Sequence, residues 1–192
     1  SRLGVRVSKV VAFSFALIGL ITLAGVPSAD ARNATRRVAD DQVAALTVPP
    51  IMLADHIVVL KSQRQMALMR GDRVIKVYRV ALGRYPKGPK VEEGDERTPE
   101  GAYFIDKRLP GSNFHKAIHI SYPNDEDRAR ARALGVRPGG AIMIHGLPNE
   151  WTARQVGHPN LDWTTGCIAV TNREMDEIWR LVQPGTPIYI YP

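Results

Sequence analysis

Between residues 56 and 191 the chain is cut into short apolar or alternating runs, separated by Gly, Pro and charged residues. HIVVL (56–60), QMALM (65–69) and VIKVYRVAL (74–82) follow one another across KSQR and RGDR. Side chains of a strand point alternately to its two faces, so this spacing predicts a β-meander with tight turns, the second carried by Gly71-Asp72. AYFI (102–105), AIHIS (117–121), AIMIH (141–145) and PIYIY (187–191) predict further strands. Two stretches change period. NDEDRARARAL places acids in its first turn, arginines later and Gly135 as a stop, the charge order a helix dipole favours. NREMDEIWRLV follows Thr171, has Glu174 three places on as in a capping box, and gathers Met175, Ile178, Trp179 and Val182 on one face. The pattern predicts a mainly β domain with two short helices.

Residues 1–54 read differently. Arg2, Arg6 and Lys9 precede an apolar run from Val10 to Val26, and Ala29-Asp30-Ala31 follows. That is the layout of a signal peptide. The run of 17 residues is also at the lower limit for crossing a bilayer, so 1–31 predicts either a cleaved leader or an uncleaved anchor. Both put the remainder in the periplasm or cell envelope, with membrane contact only through an uncleaved N-terminal segment. Residues 32–54, without strong period and containing Val48-Pro49-Pro50, predict a linker, and 55–192 a single domain. A domain of this size buries roughly two-thirds of its unfolded surface, so it needs neither disulfide nor metal to fold. The formal charge of +7 falls by two to +5 when Arg2, Arg6, Lys9 and Asp30 leave with the leader. A modest positive balance outside the cytoplasm suits an anionic polymer such as cell-wall material and argues against nucleic acid.

Cysteine usage sharpens this. The chain has one cysteine, Cys167, in DWTTGCIAV, so no internal disulfide is possible and a lone thiol is exposed to capping. A small buried hydrophobe and a nucleophile are the two accounts of it. A nucleophile needs a base, and AIMIHG ends a predicted strand in His145-Gly146, where an imidazole can face a cleft. An imidazolium within hydrogen-bond reach would hold Cys167 as thiolate, ready to attack an acyl carbon. Gly166 allows a tight turn that points N–H groups at one spot, an oxyanion site. His158, in VGHPN, is the alternative base, placed on a loop between Gly157 and Pro159. The spacings of His145, His158 and Cys167 match no tight ligand pair, which argues against zinc.

IHG followed by TTGCI, together with GDERTPEGAYFI (94–105) and VALG (80–83), resembles the catalytic domain of bacterial L,D-transpeptidases, the YkuD-like family, over about residues 55–191. The resemblance implies a β-rich sandwich, no metal or other cofactor, and a reaction on peptidoglycan stem peptides. In such enzymes a cysteine attacks the carbonyl of a diaminopimelate residue in a tetrapeptide stem, releases the terminal D-Ala, and passes the acyl group to an amine of another stem or of an envelope lipoprotein, or to water. By position it implies Cys167 as nucleophile and His145 as base. Gly146 would orient the imidazole through its carbonyl, and Gly166 and Cys167 would donate oxyanion N–H groups. A hydrolase using the same site, and a catalytically silent wall-binding module, are the competing readings. Three departures stand out: Thr165 where many members have His, Ala169 where many have Arg, and a longer segment 147–165. An Arg at 169 could hold a substrate carboxylate in a bidentate pair, which Ala cannot.

Arg97, His119 and Thr165 are the candidate substrate contacts. His119 alternates with Ile118 and Ile120 and so faces away from their side of the strand. His56 and His115 read as surface residues. Thr98-Pro99-Glu100-Gly101 predicts a type I turn entering a strand. Trp151 and Trp163 either line a groove or pack the long loop against the sheet, with packing favoured.

Overall fold

The computed structural model describes residues 52–192; the predicted leader or anchor and nearly all of the predicted linker lie outside them. Eight strands form the scaffold: β1 (His56–Leu60), β2 (Gln65–Arg70), β3 (Arg73–Arg79), β4 (Gly101–Leu109), β5 (Ala117–Ile120), β6 (Met143–His145), β7 (Ile168–Ala169) and β8 (Pro187–Tyr191). Helices α1 (Asp125–Leu134), α2 (Ala153–Val156) and α3 (Asn172–Leu181) interrupt them. The order across the sheet is β3-β2-β1-β8-β4-β5-β6-β7. β1, β2 and β3 form the predicted meander. The last strand, β8, returns to the middle, parallel to β1 and antiparallel to β4.

Alternation in each strand sends one row of side chains inward. Ile57, Val59, Met66, Leu68, Tyr103, Ile105, Ile118, Ile120, Ile144, Ile168, Ile188 and Ile190 build a single core with Met175 and Ile178 of α3. The sheet curls around it and its ends meet. Just after β3, Ala81 bridges Ala169 of β7, exchanging both backbone hydrogen bonds at 3.0 and 2.8 Å. Ala169 is fully buried in this seam. The result is the β-rich sandwich expected, with three helices where the sequence pattern indicated two.

The predicted helices have the caps their sequences encode. Asn124 and Asp127 form a capping box on α1, which ends at Gly135 in the left-handed region, and Thr171 and Glu174 do the same for α3. The unforeseen α2 is a single turn capped by Thr152 and Gln155. The turn expected at Thr98–Gly101 is not formed. That segment runs extended into β4, and the chain turns earlier, at Glu92–Asp95, where Gly94 takes a positive φ. Thr98 is instead an internal tie whose hydroxyl accepts the Gly83 N–H at 3.0 Å.

Lys61 holds this region together. It is only 2% exposed, and its ammonium donates to Gly88 O (2.6 Å), Thr98 O (2.8 Å) and Glu100 Oε1 (2.9 Å). Burial pushes its pKa down while Glu100 opposes the shift, so the cation persists only because all three of its protons are matched. Lys61→Met keeps the length but strands two carbonyls and a carboxylate. A loss of about 3–5 kcal/mol is expected in urea unfolding, and an unchanged midpoint would show that water satisfies the cage.

Candidate active site

β6 and β7 run parallel, with Ile144 opposite Ile168 and His145 opposite Ala169. The isoleucines face the core, so His145 faces the other side, and Cys167, two residues before Ala169, turns the same way. Sequence separation is thus converted into adjacency by one strand pair. The turn that delivers the cysteine is tied at several points. Asp162 accepts from Arg64 Nε (3.0 Å) and Nη2 (2.8 Å) and from Leu82 N–H (3.0 Å). Thr164 donates its hydroxyl to Cys167 O at 2.7 Å. Gly166 has φ 130°, and a Cβ there would stand 2.8 Å from Arg97 O, so a side chain meets both strain and backbone.

Gly166 corrects one expectation. Its N–H donates to Thr164 Oγ1 at 3.1 Å and is consumed in shaping the turn. Of the two expected oxyanion donors, Cys167 N–H remains.

His145 is 1% exposed. Its Nδ1 lies 2.6 Å from Gly146 O; a carbonyl can only accept, so Nδ1 carries the proton and Nε2 presents a lone pair. Gly146 is fixed in turn: its N–H donates to His115 O, and a Cβ on it would stand 2.7 Å from that oxygen. The imidazole stacks on Phe114, with centroids 3.8 Å apart, and meets Trp163 edge-on at 5.7 Å. Phe114 was not foreseen, because SNFHK carries no periodic signal. Trp163 both packs on the histidine and lines a groove.

Burial in this aromatic sleeve lowers the His145 pKa to about 4. Burial also raises the Cys167 thiol, against smaller opposing effects of the Met143 N–H and Lys90. Burial thus disfavours charge on both partners, the opposite tendency to the thiolate–imidazolium pair expected from the sequence. Among the described residues the sulfur's hydrogen-bond partner is Ala141 O at 3.6 Å, and no hydrogen bond joins it to the imidazole.

His158 lies in the turn between Gly157 and Pro159, as its place in the sequence suggested. It is buried, its Nδ1 has no partner among the described residues, and burial lowers its pKa. Both histidines bind protons less readily folded than unfolded, so their stability contribution is complete above about pH 6.5 and is lost as pH falls below it. For His145, the drop from 6.5 to about 4 corresponds to about 3 kcal/mol. Urea midpoints should fall between pH 7.5 and 4.5, above the range where carboxylates titrate; a flat profile would contradict the burial argument.

The remaining candidates are dispersed around this centre. His119, in register with Met143, lies on the same face of the sheet, with Nδ1 2.7 Å from Asp106. Thr165 is exposed beside Gly166. Arg97 packs its carbonyl against Gly166 and directs its guanidinium toward Gly88. His115 bonds Asp176 and His56 bonds Asp55, both partly exposed. Trp151, expected to pack, is 54% exposed. With Phe114, Trp163, Pro148, Val156 and Arg84 it lines a groove of about 480 Å³ leading to the histidine's aromatic sleeve.

A sequence model of the YkuD family, the L,D-transpeptidase catalytic domain, matches residues 54–190. The chain belongs to this family. Members act on peptidoglycan peptides. This L,D-transpeptidase domain is 30% identical over 151 residues to the Escherichia coli (strain K12) protein named "Putative L,D-transpeptidase YafK", covering 71% of this chain and 53% of the relative. The chain thus spans about half the length of the curated relatives it matches. Bd1075 of Bdellovibrio bacteriovorus aligns at 25% identity and TM-score 0.50, over 73% of this chain and 51% of that one. The helical cell shape determining protein Pgp2 of Campylobacter jejuni aligns at 24% and TM-score 0.55, over 79% and 54%, a likeness of fold. Position 169, an alanine, lies buried in the closing seam, so that strand offers no cation of the kind the resemblance leads one to expect there.

Proposed function

We propose that this domain is an exported cysteine acyltransferase, an L,D-transpeptidase working in the periplasm on tetrapeptide stems of peptidoglycan. The observation that carries this reading is the placing of Cys167 and His145 on one face of a parallel strand pair, with Nδ1 locked by Gly146 and Nε2 left as the basic nitrogen. On this reading the sulfur leaves Ala141 O and turns to the imidazole before it reacts. As sulfur attacks the diaminopimelate carbonyl, the thiol proton passes to Nε2 and negative charge on the carbonyl oxygen meets the Cys167 N–H. Collapse breaks the C–N bond, His145 returns the proton to the leaving amine, and D-Ala departs. An acceptor amine, on a second stem or an envelope lipoprotein, then attacks the thioester, yields its proton to His145, and the C–S bond breaks to restore the thiol.

Incubation of the purified domain with a carbapenem, followed by mass spectrometry of the peptide containing Cys167, tests the nucleophile. An adduct on that peptide supports the reading, and an unmodified thiol with labelling elsewhere defeats it. Disaccharide-tetrapeptide given with an amine acceptor tests the outcome. Amine-exchanged product means transfer, while tripeptide alone means hydrolysis.

A further inference from the structure

We propose that the cavity walled by Arg84, Tyr85, Pro86, Lys87 and Arg97 is a carboxylate-recognition subsite for the acyl-donor peptide, replacing the cation that position 169 does not supply. This rests on the acyltransferase reading. The cavity measures about 270 Å³ and gathers three cations. Arg84 Nη1 meets Glu96 Oε1 at 2.6 Å, but among the described residues neither Lys87 nor Arg97 makes an ion pair. Cations spread over a convex surface are simply solvated. With Arg84 already met by Glu96, Lys87 and Arg97 line one concavity without a counter-charge among the described residues, and a bound anion supplies it.

The backbone pins this cluster to the turn that carries the nucleophile. Arg84 N–H donates to Thr164 O (3.1 Å) and Tyr85 N–H to Glu96 O (3.3 Å). Arg97 N–H donates to Asp95 Oδ1 (3.1 Å), whose carboxylate is itself held by the buried Lys90 at 2.7 Å. The Arg97 carbonyl lies against Gly166, the neighbour of Cys167, and its guanidinium reaches Gly88, where a Cβ would stand 3.1 Å from Nη1. Arg84 also lines the aromatic groove beside His145, so the two concavities share a wall. Tyr85, 64% exposed, offers a face for the peptide's apolar atoms. A guanidinium fork and an ammonium are the donor set for a carboxylate: Arg97 takes two oxygens in plane and Lys87 adds a point charge. A tetrapeptide stem offers three such groups, on the γ-linked glutamate, on the diaminopimelate side chain and on the terminal alanine, and the test separates them.

Binding is measured calorimetrically on the full chain carrying Cys167→Ala, so that affinity is read without turnover. Disaccharide-tetrapeptide should bind about tenfold or more weakly when Arg97→Gln or Lys87→Ala is added, and more weakly in high salt. Arg73→Gln, which removes one charge on the β2–β3 hairpin, should change affinity less than twofold. Peptides amidated at one of the three carboxylates at a time identify the bound group: the decisive amide binds the Cys167→Ala protein as poorly as the free peptide binds the variants. With Cys167 present, unchanged iodoacetamide alkylation rates in the Arg97 and Lys87 variants show that the centre is still assembled. Equal affinity in all proteins, or indifference to amidation of every one of the three carboxylates, overturns the subsite. Carboxylate-dependent binding without thioester formation by the wild-type chain keeps the subsite and defeats the acyltransferase reading. Turnover whose KM ignores both substitutions does the reverse.

Discussion

Cys167→Ala is expected to remove carbapenem and stem-peptide acylation completely while leaving the domain folded. No other thiol exists in the chain, so no neighbouring sulfur can take over. The fold should tolerate the change because the sulfur's polar contacts are a long hydrogen bond to Ala141 O and the approach of the Met143 N–H, and the turn is held by Asp162 and Thr164 instead. Thermal unfolding should shift by no more than a few degrees, consistent with about 1 kcal/mol for a small part-buried side chain. The matching control is Cys167→Ser, which keeps the shape but offers a far weaker nucleophile. Intact-mass spectra showing equal adducts on wild type and Cys167→Ala would end the nucleophile assignment.

His145→Gln should slow acylation of Cys167 by about 10²- to 10⁴-fold, the range general-base catalysis contributes. The amide can preserve part of the contact to Gly146 O but has no nitrogen that accepts a proton at neutral pH. Phe114 and Trp163 retain a side chain of similar volume to pack on, so the loss should be chemical rather than structural. The pH profile separates the two. Because the aromatic sleeve lowers the His145 pKa to about 4, wild-type acylation should keep its acid limb near that value instead of near 6.5, and the residual rate of His145→Gln should lack it. Single-turnover rates over pH 3.5–7.5 check this. A full rate in His145→Gln would transfer the base role elsewhere, with buried His158 the next imidazole to test.

What could be read from the sequence was whatever depended on neighbours along the chain. HIVVL alternates and is β1; Thr171 with Glu174 specifies the cap of α3. His145 and Cys167 were recognisable because strand ends and Gly-Cys turns have local signatures. Their surroundings were not. Phe114 reaches the imidazole from a segment without periodicity, and Lys61 sits in KSQR, which reads as a solvated turn. Its cage comes from carbonyls 27 and 37 residues away. The electrostatic setting was hidden for the same reason: a Cys–His pair suggests an ion pair, and only the three-dimensional enclosure reveals that burial disfavours charge on both partners. Gly166 was identified as a turn residue, but its N–H is claimed by a threonine hydroxyl two positions back.

The seam between Ala81 and Ala169 ties the site to both edges of the sheet. β7 pairs with β6 on one side and with the stretch beyond β3 on the other. Like a stave of a cask, it is held from both sides at once. Prising the seam apart from either edge would loosen the turn that carries the sulfur, so the placing of cysteine and imidazole on one face belongs to the closed sheet alone.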